Sequence, residues 1–244
     1  MNAYTFLADV YDELMSDVDY KKWTEYLHAF LKQRNAMRIY EAGCGTGSIT
    51  FELYRHGYDI IASDISPSML KVASERARKR GYDITFIRQD MREIEVANSV
   101  DAIVCACDGP NYLNHTGVGM FACSAYNALN PGGLLLFDIS TRYKLVDIMD
   151  GQIYFDDGED TVCIWMNTYE TKKNFLRMDV TLFLRNGDFY ERLSEQHVQY
   201  AHDINSVRKI MLSKGFATVD VFDCFTLNPY HQDAQRVQFI CIKE

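Results

Sequence analysis

Residues 38–47, with the sequence RIYEAGCGTG, restrict the fold of this 244-residue chain more than any other stretch. A strand-like run at residues 38–40 leads into a turn that carries Gly43, Gly45 and Gly47, and a helical pattern begins directly after it. Glycine at such a turn lets a ligand lie against backbone N–H groups without meeting a Cβ atom. A strand, a glycine turn and a helix start in this order predict a nucleotide-cradling element of an α/β sheet.

The spacing of the glycines and the residue before them narrow the choice of ligand. A dinucleotide-binding turn has the pattern G-x-G-x-x-G and places a pyrophosphate on the helix N-terminus. Here the pattern is Gly43-x-Gly45-x-Gly47, and an acidic residue, Glu41, precedes it. A carboxylate there would repel a pyrophosphate but could hold a cationic ligand. The spacing therefore disfavours a nicotinamide-dependent oxidoreductase, although such an enzyme would share the fold.

The motif E-A-G-C-G-T-G at residues 41–47 resembles the first motif of the class I S-adenosylmethionine-dependent methyltransferases. The ligand of that family carries a sulfonium and an ammonium group and no phosphate. The resemblance implies S-adenosyl-L-methionine as the cofactor and a Rossmann-like fold. It also implies that the cofactor contacts this segment, at Glu41, Ala42, Gly43, Cys44, Gly45 and Gly47.

The next strand-like run, residues 58–63, ends at Asp64. A carboxylate at the C-terminal tip of the second strand can accept hydrogen bonds from both ribose hydroxyls of an adenosine ligand. The alternative is that Asp64 caps the following helix, but Ser66 before Pro67 is the better cap residue.

The third strand-like run, residues 84–87, is followed by Asp90. In the resembling family an acidic residue after this strand accepts a hydrogen bond from the adenine amino group, and the next backbone N–H donates to a ring nitrogen. The alternative for Asp90 is an ordinary surface turn. Residues 64–70, DISPSML, also match the family pattern D-x-S-x-x-M-L. The resemblance thus extends the predicted cofactor site along the strand ends, to Ile65, Met69, Asp90, Met91, Arg92 and Cys107.

The fourth strand-like run, residues 100–107, is apolar enough to lie in the centre of the sheet. The loop after it, DGPNYL at residues 108–113, is similar to the D-x-x-N-Y-L variant of small-molecule members of the family. A loop at the C-terminal end of this strand would lie beside the transferred methyl group. The predicted substrate contacts in it are Asp108, Asn111 and Tyr112.

Residues 1–34 have apolar side chains at helical spacing, which predicts two helices before the core domain. Aromatic residues here resemble those that close over the bound sulfonium in small-molecule methyltransferases. Tyr11 and Trp23 are the preferred candidates for this role, ahead of Tyr4 and Tyr20. A ring face attracts a cation, but the alternative is that these rings are ordinary core residues of amphipathic helices.

Strand-like and helical runs alternate up to Asp138, and together with the resemblance they predict an α/β fold with a doubly wound, seven-stranded, mostly parallel sheet. Long strand-like runs then follow at residues 162–169, 175–184 and 189–200, which predict an antiparallel β insertion. The predicted organisation is N-terminal cap helices at 1–36, a cofactor-binding core at 37–150 and 201–244, and an insertion at 151–200 that forms a lid on the acceptor side.

The end of the insertion carries three predicted site residues. Alternation along a strand places Glu195 and His197 on the same face, where members of the family often line the acceptor pocket. Both are predicted catalytic residues, and Tyr200 is a predicted substrate contact. The alternative for His197 is a structural role in the strand. The insertion itself could line the acceptor pocket, form a homodimer interface, or do both, since an extra antiparallel sheet has edges to cover.

Composition and charge limit the partners. A net charge of −9 and a pI near 5.2 disfavour nucleic acid, because phosphate binding needs a basic face. The basic run at residues 76–80 is interpreted as a solvated helix end closed by Gly81. The chain has no cationic signal peptide and no apolar run of the roughly 18 residues that a membrane span needs. The seven cysteines lack paired spacing and predict free thiols in a cytoplasmic protein without membrane contacts.

The predicted function is methyl transfer by in-line displacement from S-adenosylmethionine to a small-molecule acceptor. The displacement requires no Lewis acid, and the sequence has no cluster with metal-ligand spacing, so no metal site is predicted. The alternatives are a non-catalytic protein that binds adenosylmethionine or adenosylhomocysteine, and a nicotinamide-dependent oxidoreductase. The acceptor atom, which could be N, O, C or S, is left open.

Overall fold

The computed structural model describes residues 4–244, and its larger sheet has seven strands. With strands numbered along the chain, they are β1 (Arg38–Ala42), β2 (Asp59–Asp64), β3 (Thr85–Arg88), β4 (Val100–Cys105), β5 (Leu129–Ser140), β10 (Thr218–Asp223) and β11 (Arg236–Ile242). The order across the sheet is β10-β11-β5-β4-β1-β2-β3. Strands β1 to β5 pair in parallel, whereas β11 runs antiparallel to β5 and β10. The predicted seven-stranded, mostly parallel sheet is confirmed.

Helices cover both faces of this sheet. They are α1 (Tyr11–Leu14), α2 (Tyr20–Gln33), α3 (Ser48–Arg55), α4 (Pro67–Arg80), α5 (His115–Ala128) and α6 (Ile204–Ser213). Successive residues of β1 point to opposite faces, so that Ile39 packs with Leu27 of α2 and Tyr40 packs in the core that contains Phe121 of α5. The fold is therefore doubly wound, as predicted.

The strand order places a crevice beside β1. From β1 the chain proceeds outward through β2 and β3, and it then returns to the other side of β1 to form β4 and β5. At such a reversal the connections leave in opposite directions, and ligands of open α/β sheets bind outside the carboxyl ends of the strands there. The glycine turn follows β1 directly and therefore lies at the mouth of this crevice.

Helix α4 begins and ends at the predicted residues. The Ser66 hydroxyl accepts a hydrogen bond from the Met69 N–H at 3.3 Å, and Pro67 occupies the first turn, where its missing N–H costs nothing. Gly81 ends the helix with a φ of +69°, a left-handed conformation that glycine adopts at little cost. Ser66 therefore serves as the cap, which leaves Asp64 available for another role.

The second sheet contains four antiparallel strands in chain order, β6 (Ile153–Asp157), β7 (Thr161–Glu170), β8 (Phe175–Asn186) and β9 (Phe189–Tyr200). The sequence predicted only β7, β8 and β9. Strand β6 escaped prediction because all five of its residues are exposed, so it lacks the alternation of buried and exposed positions that marks a half-buried strand. These four strands lie between β5 and α6 in the chain, which is where the antiparallel insertion was predicted.

The N-terminal segment packs on the insertion. Leu7 is only 1% exposed and lies against Cys163, Val180 and Leu182 on the inner face of the second sheet. Of the two predicted N-terminal helices, α2 has 14 residues but α1 has only four. Residues 1–3 lie outside the described part of the chain. No helix within residues 4–244 is both long and apolar enough to cross a membrane.

Candidate active site

A cavity of about 360 Å³, here called the main cavity, opens at the carboxyl ends of the central parallel strands. The glycine turn, the strand tips and the N-terminal segment supply its walls. The predicted site residues that line it are Tyr11, Gly43, Gly45, Asp64, Ile65, Met69, Asp90, Met91, Arg92, Cys107, Tyr112 and Tyr200.

A smaller chamber of about 50 Å³ adjoins the main cavity and shares the glycine turn with it. Two further predicted cofactor residues, Glu41 and Cys44, lie in its wall, together with Tyr20. The two spaces therefore form one elongated site that runs along the turn.

Ala42 and Gly47 line neither space, contrary to the prediction of cofactor contacts for both. Ala42 is fully buried and packs in the core beneath the sheet. Gly47 begins helix α3 with a φ of +86°, and a Cβ atom there would lie 2.8 Å from the Phe51 ring. The glycine at position 47 is thus required by the start of the helix and the packing of Phe51.

The glycine turn is held in a fixed shape by the end of β2. The N–H groups of Gly43 and Cys44 both donate to the Ser63 carbonyl oxygen at 2.8 Å. Gly45 has a φ of +55°, and a Cβ atom there would meet nothing within 4 Å. Glycine is therefore needed at position 45 for the left-handed backbone, and it leaves open space toward the cavity.

Asp64 is preorganised at the tip of β2. One carboxylate oxygen accepts from the Gly45 N–H at 2.9 Å, and the other accepts from the Ser66 N–H at 2.8 Å. The side chain is 9% exposed, and burial raises the pKa of Asp64 despite these hydrogen bonds. Each carboxylate oxygen keeps a further lone pair, so the group can still accept from a pair of ligand hydroxyls.

Glu41 places a carboxyl group with an unpaired oxygen beside the smaller chamber. The residue is 3% exposed, and burial raises its pKa to about 8. Its Oε2 atom has no hydrogen-bond partner within residues 4–244. A buried carboxyl oxygen that lacks a partner is costly unless a ligand supplies one. A cationic ligand group in the chamber would satisfy Glu41 and favour its ionised form.

Ligand binding at Glu41 should therefore release a proton. A carboxyl with a pKa of about 8 is roughly nine-tenths protonated at pH 7, and contact with a cation lowers that pKa. Calorimetric titration of adenosylmethionine at pH 7, repeated in buffers of different ionisation enthalpy, should show release of close to one proton per cofactor. Glu41→Gln should release almost none, whereas Glu25→Gln, at an exposed position on α2, should behave like the unchanged protein. Equal release from Glu41→Gln and the unchanged protein would rule out this role.

Asp90 lies in the cavity wall but already has a partner. Both of its oxygens contact the Arg92 guanidinium, the shorter distance being 2.5 Å, and the carboxylate also accepts from the Arg92 N–H at 2.9 Å. The Arg92 hydrogen bonds lower the pKa of Asp90. An adenine amino group would therefore share an ionised carboxylate that Arg92 holds in place. Met91 lies nearby, with its methyl carbon 3.6 Å from the Cβ position of Gly43.

The loop after β4 has an unusual backbone. Cys107 and Asp108 have φ values of +60° and +54°, in the left-handed region that non-glycine residues seldom occupy. The Asp108 carboxylate does not line the main cavity, and it accepts from Arg236 at 2.8 Å and from the Ser140 hydroxyl at 2.8 Å. The predicted substrate contact of Asp108 is thus not supported, since its carboxylate fastens the loop to the sheet instead.

Arg236 and Asp138 complete this ion cluster, in which Asp138 is fully buried and the other two side chains are mostly buried. Arg236 bridges Asp108 and Asp138, and Asp138 also accepts from the Asp108 N–H at 2.9 Å. Asp138 is fully buried, and the two carboxylates raise the pKa of Arg236. In the sequence, Asp138 stands out as the acidic residue that directly follows the apolar run at residues 134–137. No local pattern marks Arg236.

Asn111 is a structural residue, which corrects its prediction as a substrate contact. It is fully buried, its amide donates to the carbonyl oxygens of Ser140 and Tyr200 at 3.0 Å, and its oxygen accepts from the Ser140 N–H at 2.9 Å. These bonds use both amide hydrogens to join the loop, β5 and the end of β9. The side chain has no donor left for a substrate.

Four tyrosines form the wall of the main cavity beside Cys107. Tyr4 and Tyr112 contact each other through their hydroxyls at 2.5 Å, and the Tyr4 ring meets the Tyr11 ring edge-on at 5.7 Å. Tyr200 lines the same space. Burial raises the pKa values of Tyr4, Tyr11 and Tyr112, so their hydroxyls stay protonated near neutral pH. Tyr4 was a weaker candidate than Trp23 from the sequence, but Tyr4 lines the main cavity and Trp23 does not.

Trp23 is a core residue rather than a wall of either space. It is 5% exposed, its ring packs on Phe225 at a centroid distance of 4.6 Å, and the Arg236 guanidinium lies 5.6 Å from its centre. Helix α2 turns this side chain toward the sheet together with Leu27. The alternative of ordinary packing therefore describes Trp23, and its predicted cofactor contact is not supported.

Glu195 and His197 lie behind the cavity wall. The Glu195 carboxylate accepts from the backbone N–H groups of Tyr4 at 2.7 Å, Leu7 at 3.0 Å, and Phe6. His197 contacts Glu195 through Nε2 at 3.2 Å, and its ring lies 4.6 Å from that of Tyr4. Burial opposes ionisation of Glu195, but the hydrogen bonds outweigh it and lower its pKa. The pair holds the N-terminal segment in place, and neither side chain lines the main cavity. A catalytic role for Glu195 or His197 is therefore not supported.

The arrangement fits the predicted cofactor. The unpaired oxygen of Glu41 suits an ammonium group, the tyrosine rings suit a sulfonium, and Asp64 suits the ribose hydroxyls. Within residues 4–244, no group of three or more His, Cys, Asp or Glu side chains is arranged to hold a metal ion.

Comparison with known proteins agrees with these features. Residues 39–133 match a family model described as "Methyltransferase domain". "Putative methyltransferase YqeM" of Bacillus subtilis is 31% identical over 239 residues, which covers 97% of this chain and 95% of that protein. A relative from Geobacillus sp. strain WCH70 with the same kind of description is 31% identical over 99% of this chain and all of its own length. The crystal structure of an S-adenosylmethionine-dependent methyltransferase from Clostridium acetobutylicum has a TM-score of 0.88 at 26% identity and covers 99% of both chains.

Proposed function

The chain belongs to the S-adenosylmethionine-dependent methyltransferases, and on this premise we propose that its acceptor is a small molecule held on the tyrosine side of the main cavity. The position of Tyr4 carries the proposal. Tyr4 lies in the cavity wall, its N–H donates to Glu195 at 2.7 Å, and its carbonyl oxygen accepts from the Ser66 hydroxyl at 3.0 Å. A wall fastened on both sides limits the acceptor to a molecule that fits beside the cofactor within a space of about 360 Å³.

The residues of the site would act by alignment. Bound S-adenosylmethionine supplies a methyl carbon on a sulfonium, and the lone pair of the acceptor attacks that carbon as the carbon–sulfur bond breaks. The proposal assigns Glu41 to the ammonium group, Asp64 to the ribose hydroxyls and Asp90 to the adenine. Holding the two reactants in line and excluding water supplies most of what such a displacement needs from a protein.

The tyrosine hydroxyls would orient the acceptor by hydrogen bonds. Burial raises the pKa values of Tyr4, Tyr11 and Tyr112, so none of the three hydroxyls is ionised near neutral pH and able to remove a proton. The Tyr112 hydroxyl interacts with the Tyr4 hydroxyl and with the Gln199 side chain, and a hydroxyl with one donor and two lone pairs can make a third hydrogen bond. We therefore assign Tyr112 to the acceptor, and we expect the acceptor group to carry a free lone pair at neutral pH.

Transfer of a labelled methyl group tests the proposal. Purified protein with methyl-labelled adenosylmethionine and a size-fractionated bacterial cell extract should place the label in the low-molecular-mass fraction, as detected by mass spectrometry. The same reaction without the protein is the control. Label that appears only in the protein or nucleic-acid fraction would refute a small-molecule acceptor.

Replacement of Tyr112 by phenylalanine should slow the transfer. Removing one neutral hydrogen bond costs about 0.5–1.5 kcal/mol, which corresponds to a loss of roughly two- to tenfold in kcat/KM for the labelled acceptor. Affinity for adenosylmethionine should stay within about twofold, because the assigned contact is with the acceptor. Tyr190→Phe, at a position that is 51% exposed on β9, is the matched control and should leave both values unchanged. If both variants transfer at the normal rate, Tyr112 does not orient the acceptor.

The β insertion would contribute in two ways. It supplies Tyr200 to the main cavity and Glu195 to the N-terminal segment, which supports its assignment as a lid on the acceptor side.

The edge strand β6 of the insertion and the adjoining part of β7 also expose Ile153, Phe155 and Met166 on one face. We propose that a second copy of the chain covers this face, because exposed apolar side chains on an unpaired edge favour association.

The proposed location is the cytoplasm. All seven cysteines are free thiols in the structure, and four of them, Cys44, Cys105, Cys163 and Cys241, are buried. Free thiols are typical of proteins kept in a reducing compartment.

A further inference from the structure

A second cavity, of about 410 Å³, lies on the outer side of helices α3 and α4. We call it the basic groove and define it by Lys21, Phe51, Glu52, Arg55, Arg76 and Arg80. It shares no lining residue with the main cavity, but Tyr20 and Ser48 line both the groove and the smaller chamber. The function assigned above uses none of these six side chains.

The groove concentrates positive charge on an acidic protein. Four of its side chains are cationic and one is a carboxylate, whereas the whole chain has a net charge of −9. Lys21 and Arg55 pair with Glu25 and Glu52 along their own helices, at solvent-exposed positions where such pairs are weak and exchange readily. Arg80 forms no salt bridge with any residue from 4 to 244 and donates only to the Arg76 carbonyl oxygen, at 3.3 Å.

Aromatic and ionic contacts hold two of the guanidinium groups at the groove. The Arg76 and Arg80 groups lie 5.2 Å and 4.8 Å from the centre of the Phe51 ring. Arg76 is fixed further by Asp12 at 2.5 Å and by the Thr46 carbonyl oxygen at 2.9 Å. The cations of a solvated helix end would be free to move, but the Arg76 and Arg80 guanidinium groups are held at the groove. Because they are already ordered, less entropy is lost when a ligand binds.

We propose that the basic groove binds a small molecule that carries two or more linked phosphate groups. Guanidinium groups match phosphate oxygens in pairs, and an anion with linked phosphates offers enough oxygens to contact cations on both α3 and α4. The volume is that of a small-ligand site. A nucleic acid would need a basic surface beyond the groove, and the net charge of the chain disfavours one.

Calorimetric titration with inorganic tripolyphosphate tests the proposal. We expect saturable binding at one site per chain, and at least tenfold weaker binding in Arg80→Glu, because that change removes a charge-assisted contact and adds a repulsion. Lys79→Glu is the matched control, since it makes the same change of charge at an exposed position on the same helix outside the groove, and it should keep the affinity within about threefold. Adenosylmethionine binding, measured in parallel, should be retained in both variants and shows that they are folded.

Three results would overturn the proposal. One is the absence of saturable tripolyphosphate binding, and another is an equal loss in Arg80→Glu and Lys79→Glu, which would indicate attraction by overall charge alone. The third is tighter binding of a single-stranded oligonucleotide of about ten nucleotides than of tripolyphosphate, which would assign the groove to nucleic acid. Orthophosphate that binds as tightly as tripolyphosphate would refute the requirement for linked phosphates.

Discussion

Asp64→Ala is expected to weaken the binding of adenosylmethionine by about 2 kcal/mol or more, because each charge-assisted hydrogen bond to a ribose hydroxyl contributes about 1.5–3 kcal/mol. The substitution also removes the acceptors for the N–H groups of Gly45 and Ser66, so the glycine turn loses a contact that shapes it. Both effects act in the same direction. Calorimetric titration of the purified variant with adenosylmethionine measures the loss.

Asp59→Ala is the control for this experiment. Asp59 begins the strand that Asp64 ends, its side chain is 75% exposed, and its only salt bridge is with Arg38 at 3.7 Å, among the residues that the structure describes. Its removal should leave the cofactor affinity unchanged. Thermal unfolding of the two variants separates a loss of binding from a loss of folding. If Asp64→Ala binds adenosylmethionine as tightly as the unchanged protein, Asp64 has only the structural role of stabilising the glycine turn.

Arg236→Met should lower the free energy of unfolding by about 3 kcal/mol, because it leaves the fully buried Asp138 carboxylate without its salt-bridge partner. Asp138 is fully buried and Asp108 is held in a left-handed backbone conformation by the same guanidinium. Methionine fills a similar volume, so the loss would reflect charge more than packing. Urea unfolding followed by circular dichroism measures it.

Arg177→Met is the matched control, because Arg177 also lies between two carboxylates, Glu170 and Asp179. Its two carboxylate partners are 37% and 34% exposed, and salt bridges that solvent reaches in this way contribute about 1 kcal/mol or less. The deficit of Arg236→Met should also depend on pH. Without Arg236 the buried Asp138 holds its proton more tightly than the unfolded chain does, so the stability of the variant falls as pH rises above the unfolded value of about 4. Similar losses of unfolding free energy in Arg236→Met and Arg177→Met would contradict a special contribution of the Arg236 ion cluster to stability.

The parts of the site that the sequence predicted are those encoded by local spacing. The glycine turn, Asp64 and Asp90 each follow a strand within a few residues, and parallel strands bring their carboxyl ends to one edge of the sheet. Alternation of strands and helices likewise predicted the larger sheet. Position at a strand end and residue type singled out the glycine turn and Asp64, whereas the role of Asp90 and the number of strands also depended on the resemblance to the methyltransferase family.

The missed features depend on partners far apart in the chain. Arg236 meets Asp138 across 98 residues, and Glu195 meets the Tyr4 N–H across 191 residues. Nothing in the spacing around Asn111 or His197 shows that their polar atoms are occupied by other parts of the protein. Both carry groups suited to a substrate, and only the tertiary contacts reveal that they stabilise the fold instead. Sequence patterns identify polar residues near a site but do not tell which of them face the ligand.

The attachment of the N-terminal segment determines where the chain can tolerate substitution. Its donors to Glu195 are the main-chain N–H groups of Tyr4, Phe6 and Leu7, which every residue except proline also possesses. A change of side chain at an exposed position such as Phe6 therefore keeps its donor, whereas any loss of the carboxylate at position 195 removes all three acceptor contacts together. Tyr4 lines the main cavity, so its side chain can change while the hydrogen bonds that hold this part of the wall stay in place.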